Sequence, residues 1–418
     1  MPAALFVHTN FPAQFGFVAE RLRKEGWAVA AIASATGRPV AGIPLLRWQM
    51  TRGTTENIFR PAVRAEADLL RGRAAVECAK ALSGRGFRPD LVIGHPGWGE
   101  TTFLKEVFPA ARQVAYAEFY YRSQGADVGF DPEFGPLSLD ERCVVAAKNA
   151  TLAMAYAEAD RIVAPTPFQA GLLPPSLHAR LSIIHEGVDT GQARPDPAAA
   201  VRLPDGRVLD RSRPVVTFVN RRFEPLRGFH VFLRALPTLL ERVPEAEVLL
   251  VGSDQRGGYG PAAPEGTTWK ARMLAEVGPR LDMRRVHFTG PLPHAEMLAA
   301  LAVSAAHVYY TYPFVLSWSL LEAMACEALV ICSDTAPLRD VIEPGRNGLL
   351  LDFFDVDALS EALIEACLRP DAFRRLRVRA RETILERFDR ARHGLPAWLA
   401  LANGLVPARD GARGGRPG

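Results

Sequence analysis

The chain predicts two α/β domains in tandem, each a doubly wound parallel sheet, and three observations lead there. Short apolar runs rich in β-branched residues alternate with longer segments of helical period, as expected of parallel strands covered on both faces by crossover helices. The pattern occurs twice, on either side of a stretch at 194–214 rich in Pro, Asp, Arg and Ala. At 418 residues the chain is long enough for two cores of ordinary size.

In the first half the expected strands are Ala3–His8, Ala28–Ser34, Leu91–His95, Gln113–Glu118, Arg161–Ala164 and Leu181–His185. Helical periods fall near Gln14–Glu25, Pro61–Leu82, Glu100–Val107 and Leu137–Ala159. The second half repeats the scheme with strands at Val215–Asn220, Glu247–Gly252, Val286–Gly290, Ala306–Tyr310, Leu329–Ser333 and Gly348–Asp352. Its helices are expected at Phe229–Arg242, Trp269–Val277, Ala295–Leu301, Ser317–Cys326, Val356–Cys367 and Pro370–Phe388. Pro204-Asp205-Gly206 is a turn signal inside the polar stretch. The expected division is therefore an N-terminal domain at 1–195, a linker at 196–213 and a C-terminal domain at 214–388. A terminal helix at 389–404, with the option of crossing back to the first domain, precedes a Gly/Arg-rich tail at 405–418 that is expected to be disordered.

A formal charge of +4, spread evenly between the halves, argues against a nucleic-acid binder. The five cysteines form neither a CxxC pair nor a Cys/His cluster of zinc spacing, which fits a reducing cytoplasm. No run of 18 apolar residues suggests a membrane span, and the first residues lack the basic start of a secretory signal.

Doubly wound sheets bind ligands beyond the carboxyl ends of their strands, so two of them in tandem predict a cleft with sites at strand ends. The most informative strand end runs from Tyr312 through Pro313, Phe314, Val315, Leu316, Ser317 and Trp318 to Glu322. Ser317 is a suitable N-cap, and amides opening a helix make an anion site, best suited here to a diphosphate. Glu322, one turn further on, offers a carboxylate for a ribose diol; a surface ion pair is the competing expectation. The second constellation is Arg221-Arg222-Phe223-Glu224-Pro225-Leu226-Arg227-Gly228, where arginines arrive as a strand runs out. Arg222 and Arg227 would grip phosphate oxygens by bidentate bonds, or else form a solvated basic turn. Gly252, Gly290 and Leu292 end neighbouring strands and are placed near the nucleotide by position. Asp355-Val356-Asp357 opens a helical segment and reads as an N-cap with a first-turn acid rather than a metal site.

Taken jointly, these residues resemble the retaining glycosyltransferases of family 4, which have the GT-B architecture of two Rossmann-like domains facing across a cleft. That family carries an Arg, four residues and a Lys after the first strand of its second domain, and later a Glu, seven residues and a second Glu. Arg222 and Arg227 stand at the first pair, and Glu322 at the second Glu. Phe314 replaces the first Glu, Arg227 replaces Lys, and Glu327 stands where a small Gly is common. The first half is similar to one subgroup, through His8-Thr9-Asn10-Phe11-Pro12-Ala13-Gln14-Phe15, Gly94-His95-Pro96-Gly97-Trp98-Gly99-Glu100, Glu118-Phe119-Tyr120-Tyr121-Arg122 and His185-Glu186-Gly187-Val188-Asp189. The likeness spans roughly residues 3–390.

The resemblance implies an enzyme of bacterial polysaccharide biosynthesis that moves a sugar from a nucleotide sugar to a glycan, lipid-linked or small-molecule acceptor. Retention of configuration, no metal and no cofactor belong to the same expectation. Arg222, Arg227 and Glu322 are the catalytic candidates of the second half, with Val315, Leu316, Ser317, Trp318, Gly252, Gly290 and Leu292 as further donor contacts. In the first half, Asn10, Phe11, Pro12, Ala13 and Gln14 are expected to face the transferred sugar. His95 or Glu118 would orient the acceptor hydroxyl, and the aromatic Tyr120 would stack on the acceptor or pack the loop. Arginines between Arg60 and Arg88 allow a basic helix face against the inner membrane leaflet, with a solvated face as the alternative. Two other classes stay open: a different GT-B enzyme such as a sugar-nucleotide epimerase, and a non-catalytic sugar-nucleotide binder. A phosphorylase is disfavoured, since it needs a pyridoxal lysine and the second half has only Lys270.

Overall fold

The computed structural model describes residues 1–406 in two compact units. Among the described residues, unit 1 holds 1–121, 138–186 and 392–406; unit 2 holds 122–137 and 187–391. The tail expected at 405–418 lies outside the described residues from 407 onward, whereas Leu405 ends a helix and packs with Val406 against the unit 1 core.

Unit 1 is built on β1 (Ala3–Val7), β2 (Ala28–Ala33), β3 (Leu45–Arg47), β4 (Leu91–Gly94), β5 (Arg112–Tyr116), β6 (Arg161–Ala164) and β7 (Leu181–Ile183). These strands form one parallel sheet in the order β3-β2-β1-β4-β5-β6-β7. All five side chains of β1 are buried, because helices cover the sheet on both faces. The helix Gly16–Lys24 contributes Val18, Ala19 and Leu22 to one face, and Trp398 of the terminal helix Leu395–Leu405 joins the same core. The helix Val63–Gly84 covers the other face through Ala75, Ala79 and Leu82.

In unit 2 a short antiparallel pair, β8 (Val201–Arg202) and β9 (Val208–Leu209), closes around Pro204-Asp205-Gly206. The main strands are β10 (Val215–Arg222), β11 (Glu247–Ser253), β12 (Val286–Gly290), β13 (Ser304–Tyr309), β14 (Val330–Ser333) and β15 (Leu349–Leu351). They form a second parallel sheet in the order β12-β11-β10-β13-β14-β15. The chain is therefore two Rossmann-like doubly wound domains. In each sheet the strand order reverses beside the first strand, between β1 and β4 and between β10 and β13. Ligands of open α/β sheets bind at such switch points.

Several expected elements differ in detail. The helical period at Leu137–Ala159 is two helices, Leu139–Ala147 and Ala150–Glu158. The break falls at Asn149, whose side chain accepts from the Tyr121 amide at 2.9 Å and donates to the Tyr121 carbonyl at 2.8 Å. The segment at Glu100–Val107 is helical only over Leu104–Val107. Strand β3 was not anticipated, being three residues long and half exposed. Two arginines of the Arg60–Arg88 face turn inward, since Arg64 and Arg71 both pair with the buried Asp68 at 2.8 Å. Asp355 does cap its helix, accepting from the Ala358 amide at 2.8 Å. Among the described residues, no helix is long and apolar enough to cross a membrane.

Candidate functional site

At the switch point of unit 2, β10 delivers Arg222 and the short turn Pro225–Arg227 leads into the helix Phe229–Arg242. Gly228 makes that turn, at φ +68, and a Cβ there would lie 2.3 Å from Cβ of Tyr310. Only glycine allows both the left-handed backbone and the close approach to the strand.

The turn drives Arg227 inward until the residue is 8% exposed. Its Nη1 donates to Tyr309 Oη at 3.0 Å, Thr311 Oγ1 at 3.0 Å and the Val315 carbonyl at 2.9 Å. The ring of Phe314 lies 5.6 Å from the guanidinium. Each of these partners is neutral, and no carboxylate pairs with Arg227 among the described residues. An arginine side chain keeps its charge even when buried, so these neutral acceptors leave that charge without a counter-ion. Arg222 is half-buried, with its guanidinium against the backbone of Gly257, and likewise has no ion-pair partner among the described residues.

Ser317 departs from expectation. It holds the N-cap position of the helix Trp318–Ala325, yet its side chain caps nothing. The hydroxyl pairs instead with Ser319 Oγ, and the Ser317 amide donates to Tyr309 Oη at 2.6 Å. Tyr309 therefore joins the two constellations, accepting from both Arg227 and Ser317. Sequence reading missed it because it lies within a strand. Glu322 is partly occupied: its Oε1 meets His294 Nε2 at 2.7 Å.

Other donor-side candidates are spread more widely. Trp318 is 42% exposed, whereas Leu316 and Leu292 pack against the unit 2 core. Gly252 sits where a Cβ would be 2.5 Å from the Asn220 carbonyl, so its role is close strand packing. At Gly290 a Cβ would meet nothing within 4 Å. Glu327 occupies a left-handed residue after the helix, at φ +60, which explains why glycine is favoured there.

Unit 1 brings most of its candidates together at its own switch point. Glu118 accepts from Gln14 Nε2 at 3.1 Å and meets His95 Nε2 at 3.2 Å. His95 is 3% exposed and its Nδ1 accepts from the Gly97 amide at 3.1 Å, which leaves the proton on Nε2, facing Glu118. His95 is thus a donor to the carboxylate rather than a free base. The neighbouring His8, missed as a candidate, accepts from the Asn10 amide at 2.8 Å. Burial, then the adjacent His95, hold it well below the usual imidazole value, so it stays neutral. Asn10 accepts from Thr36 Oγ1 at 2.5 Å. Phe11 is fully buried against Phe6 and belongs to the core rather than to a sugar site. Pro12 and Ala13 shape the turn before Gln14. Tyr120 packs against Tyr156, and Phe119 is buried.

The two sheets, with a buried cation lacking a carboxylate partner at one switch point and a polar cluster at the other, define a class of protein before any comparison is made: a doubly wound, two-domain α/β fold. Residues 25–193 match the family described as glycosyl transferase family 4 group, and residues 213–368 match glycosyl transferases group 1. Each of the two domains thus matches a glycosyltransferase family model, and the chain has the GT-B fold. It is 28% identical over 301 residues to D-inositol 3-phosphate glycosyltransferase of Segniliparus rotundus, covering 67% of this chain and 62% of that protein. The Mycobacterium tuberculosis protein of the same name is 26% identical over 329 residues, covering 73% and 65%. The chain thus spans about three fifths of the length of the curated relatives it matches. Among solved structures, sucrose-phosphate synthase of Thermosynechococcus elongatus superposes with a TM-score of 0.75 at 18% identity, over 98% of this chain and 100% of that one. HepE of Anabaena, solved with UDP-glucose, superposes with a TM-score of 0.68 at 15% identity, over 96% and 100%.

Proposed function

We propose that the chain transfers a sugar from a nucleoside-diphosphate sugar to a glycan, lipid-linked or small-molecule acceptor, with retention of configuration and without a metal. One observation carries this reading: Arg227 is a buried cation whose protein partners are all neutral, and Arg222 ends the strand just before its turn. In the reaction the bond between the anomeric carbon and the diphosphate oxygen breaks, with its electron pair passing to that oxygen. The acceptor oxygen bonds to the anomeric carbon on the same face, and its proton goes to the departing diphosphate. Negative charge therefore grows on the diphosphate as an oxocarbenium-like centre develops, and fixed cations placed there lower the barrier. Two arginines supply that charge, which supports metal independence. The glycosyltransferase names of the relatives and the nucleotide sugar bound by the Anabaena protein support the same donor class.

The test is turnover with labelled UDP-, GDP- and ADP-sugars, read as nucleotide release, in the wild type and in Arg222→Ala. The expected loss is roughly 10²–10³-fold, the size found for removal of one preorganised donor to a developing anion. Near-normal turnover in a folded Arg222→Ala would defeat the reading. A second reading, a sugar-nucleotide binder without turnover, is favoured by Phe314 at the position of a sugar-contacting carboxylate; tight nucleotide binding with no release from any donor would select it.

A further inference from the structure

Residues 122–137 lie in sequence between two stretches of unit 1, yet they pack as part of unit 2. This strap is held by aromatic contacts: Phe130 stacks on Phe354 and meets Tyr312 at 5.0 Å, while Phe134 meets the edge of Trp269 at 5.5 Å. Between the two rings sits Asp131, 3% exposed. Its Oδ2 accepts from Tyr312 Oη at 2.7 Å and from His230 Nε2 at 3.0 Å, and its Oδ1 accepts from the Glu133 amide at 2.9 Å.

The two side chains that Asp131 joins belong to two different segments that adjoin Arg227. His230 lies on the first turn of the helix that begins just after Arg227 and Gly228. Tyr312 lies in the loop that supplies the Val315 carbonyl, and its amide donates to the Leu226 carbonyl at 2.9 Å. We propose that Asp131 is a positioning residue of the donor site, a carboxylate that fastens the Arg227 turn to the Tyr312–Ser317 loop and so fixes the geometry in which a nucleoside diphosphate is gripped.

This inference rests on the donor-site reading above. The cluster is not a cation site: although Asp131, Glu133 and His230 approach one another, Arg234 already takes both oxygens of Glu133, at 2.7 and 3.0 Å. Asp131 likewise has both oxygens engaged by N–H and O–H donors. Burial by itself would raise the Asp131 carboxyl, but the bonds from His230, Tyr312 and the Glu133 amide outweigh it and hold the group below the usual carboxylate range. It therefore acts as an ionised acceptor, the stronger kind of hydrogen-bonding partner. Sequence gave no pointer to this residue, since Asp131 is 99 residues from His230 and 181 from Tyr312.

The test measures UDP, GDP and ADP dissociation constants by calorimetry on the full chain, together with thermal unfolding, for wild type, Arg227→Ala, Asp131→Asn, Tyr312→Phe and the double variant. With the nucleotide bound tightest by wild type, Asp131→Asn is expected to weaken binding about tenfold, the order set by losing a hydrogen bond to a charged group. Tyr312→Phe keeps the ring and removes only the hydroxyl, so it tests the proposal even if Asp131→Asn does not fold. It is expected to weaken binding several-fold, and the double variant to be no weaker than Asp131→Asn alone. KM for the donor should rise while KM for the acceptor stays put, a split that general destabilisation would not produce. Folded Asp131→Asn and Tyr312→Phe that bind within twofold of wild type, or whose effects simply add, would overturn the strap proposal. If at the same time Arg227→Ala loses binding, the donor-site reading stands alone. Unimpaired binding by Arg227→Ala would bring down both.

Discussion

In unit 2 the Arg227 guanidinium is buried among a phenol, a hydroxyl and a carbonyl, whereas in unit 1 the Glu118 carboxylate takes hydrogen bonds from Gln14 and His95. Arg227 follows a strand at the switch point of its sheet, and Glu118 is bonded to side chains that follow the two switch-point strands of its own. At Glu118 the protein supplies its own donors. At Arg227 it leaves a fixed charge with neutral acceptors only, and that imbalance is what the proposed diphosphate would correct. A third buried group shows that burial need not preserve charge. His307 in β13 is fully buried, bonded through Nδ1 to Thr217 Oγ1 at 2.9 Å, and burial pushes it down to about 3. Histidine yields its proton to escape the cost of burial, an option closed to arginine.

The largest effect that would break this contrast concerns the cation itself. Arg227→Ala should lower turnover with a nucleotide sugar by roughly 10²–10³-fold while the chain stays folded. Initial rates at saturating donor, with circular dichroism as the check on folding, settle the matter; a rate near that of wild type would put Arg227 in the scaffold. Next comes acid stability. Because the folded value of His307, about 3, lies below the unfolded 6.5, the unfolded chain takes up the proton first. Its contribution is therefore complete above about pH 6.5 and declines as pH falls from there toward 3, by at most about 1.4 kcal/mol per pH unit. Denaturation midpoints across that window should show this slope in wild type and a shallower one in His307→Gln; equal slopes would show that the imidazole titrates freely.

A smaller effect is expected at His95. If it serves as a donor that orients Glu118, His95→Gln should lower turnover by no more than about tenfold, whereas loss of a general base would give roughly 10²–10⁴-fold. A fall in that higher range would make unit 1 the seat of proton transfer and reverse the contrast. The smallest effect sharpens the view of the Glu322 helix. Its far end is closed by Glu327 at φ +60, so Glu327→Gly should raise stability by about 1 kcal/mol and leave turnover unchanged. A destabilised variant would mean that the Glu327 side chain has a packing role.

Much of the architecture was legible because its signals are local. Every main strand of both sheets except β3 follows from an apolar run, and Asp355 announces its helix by type and position. β3 was hidden because three half-exposed residues carry no period to read. At the site, Arg222 and Arg227 were visible as charges at a strand end. That Arg222 stays half-buried while Arg227 is drawn in beneath Phe314 was not, since the direction of a turn depends on what it packs against. Ser317 shows the limit from the other side: residue type predicted a cap, and Ser319 and Tyr309 took its hydrogen bonds instead.

The order of residues alone determined two doubly wound sheets and the strand ends at which chemistry is to be sought, because period, turn residues and strand-end charges act over a few neighbours. Only the tertiary structure decided which charges are matched and which are left open. His294 meets Glu322, Asp131 meets both His230 and Tyr312, and Arg227 meets no carboxylate among the described residues. Such pairings join positions tens to hundreds of residues apart, and hydrogen bonding depends on distance in space, on which sequence spacing is silent.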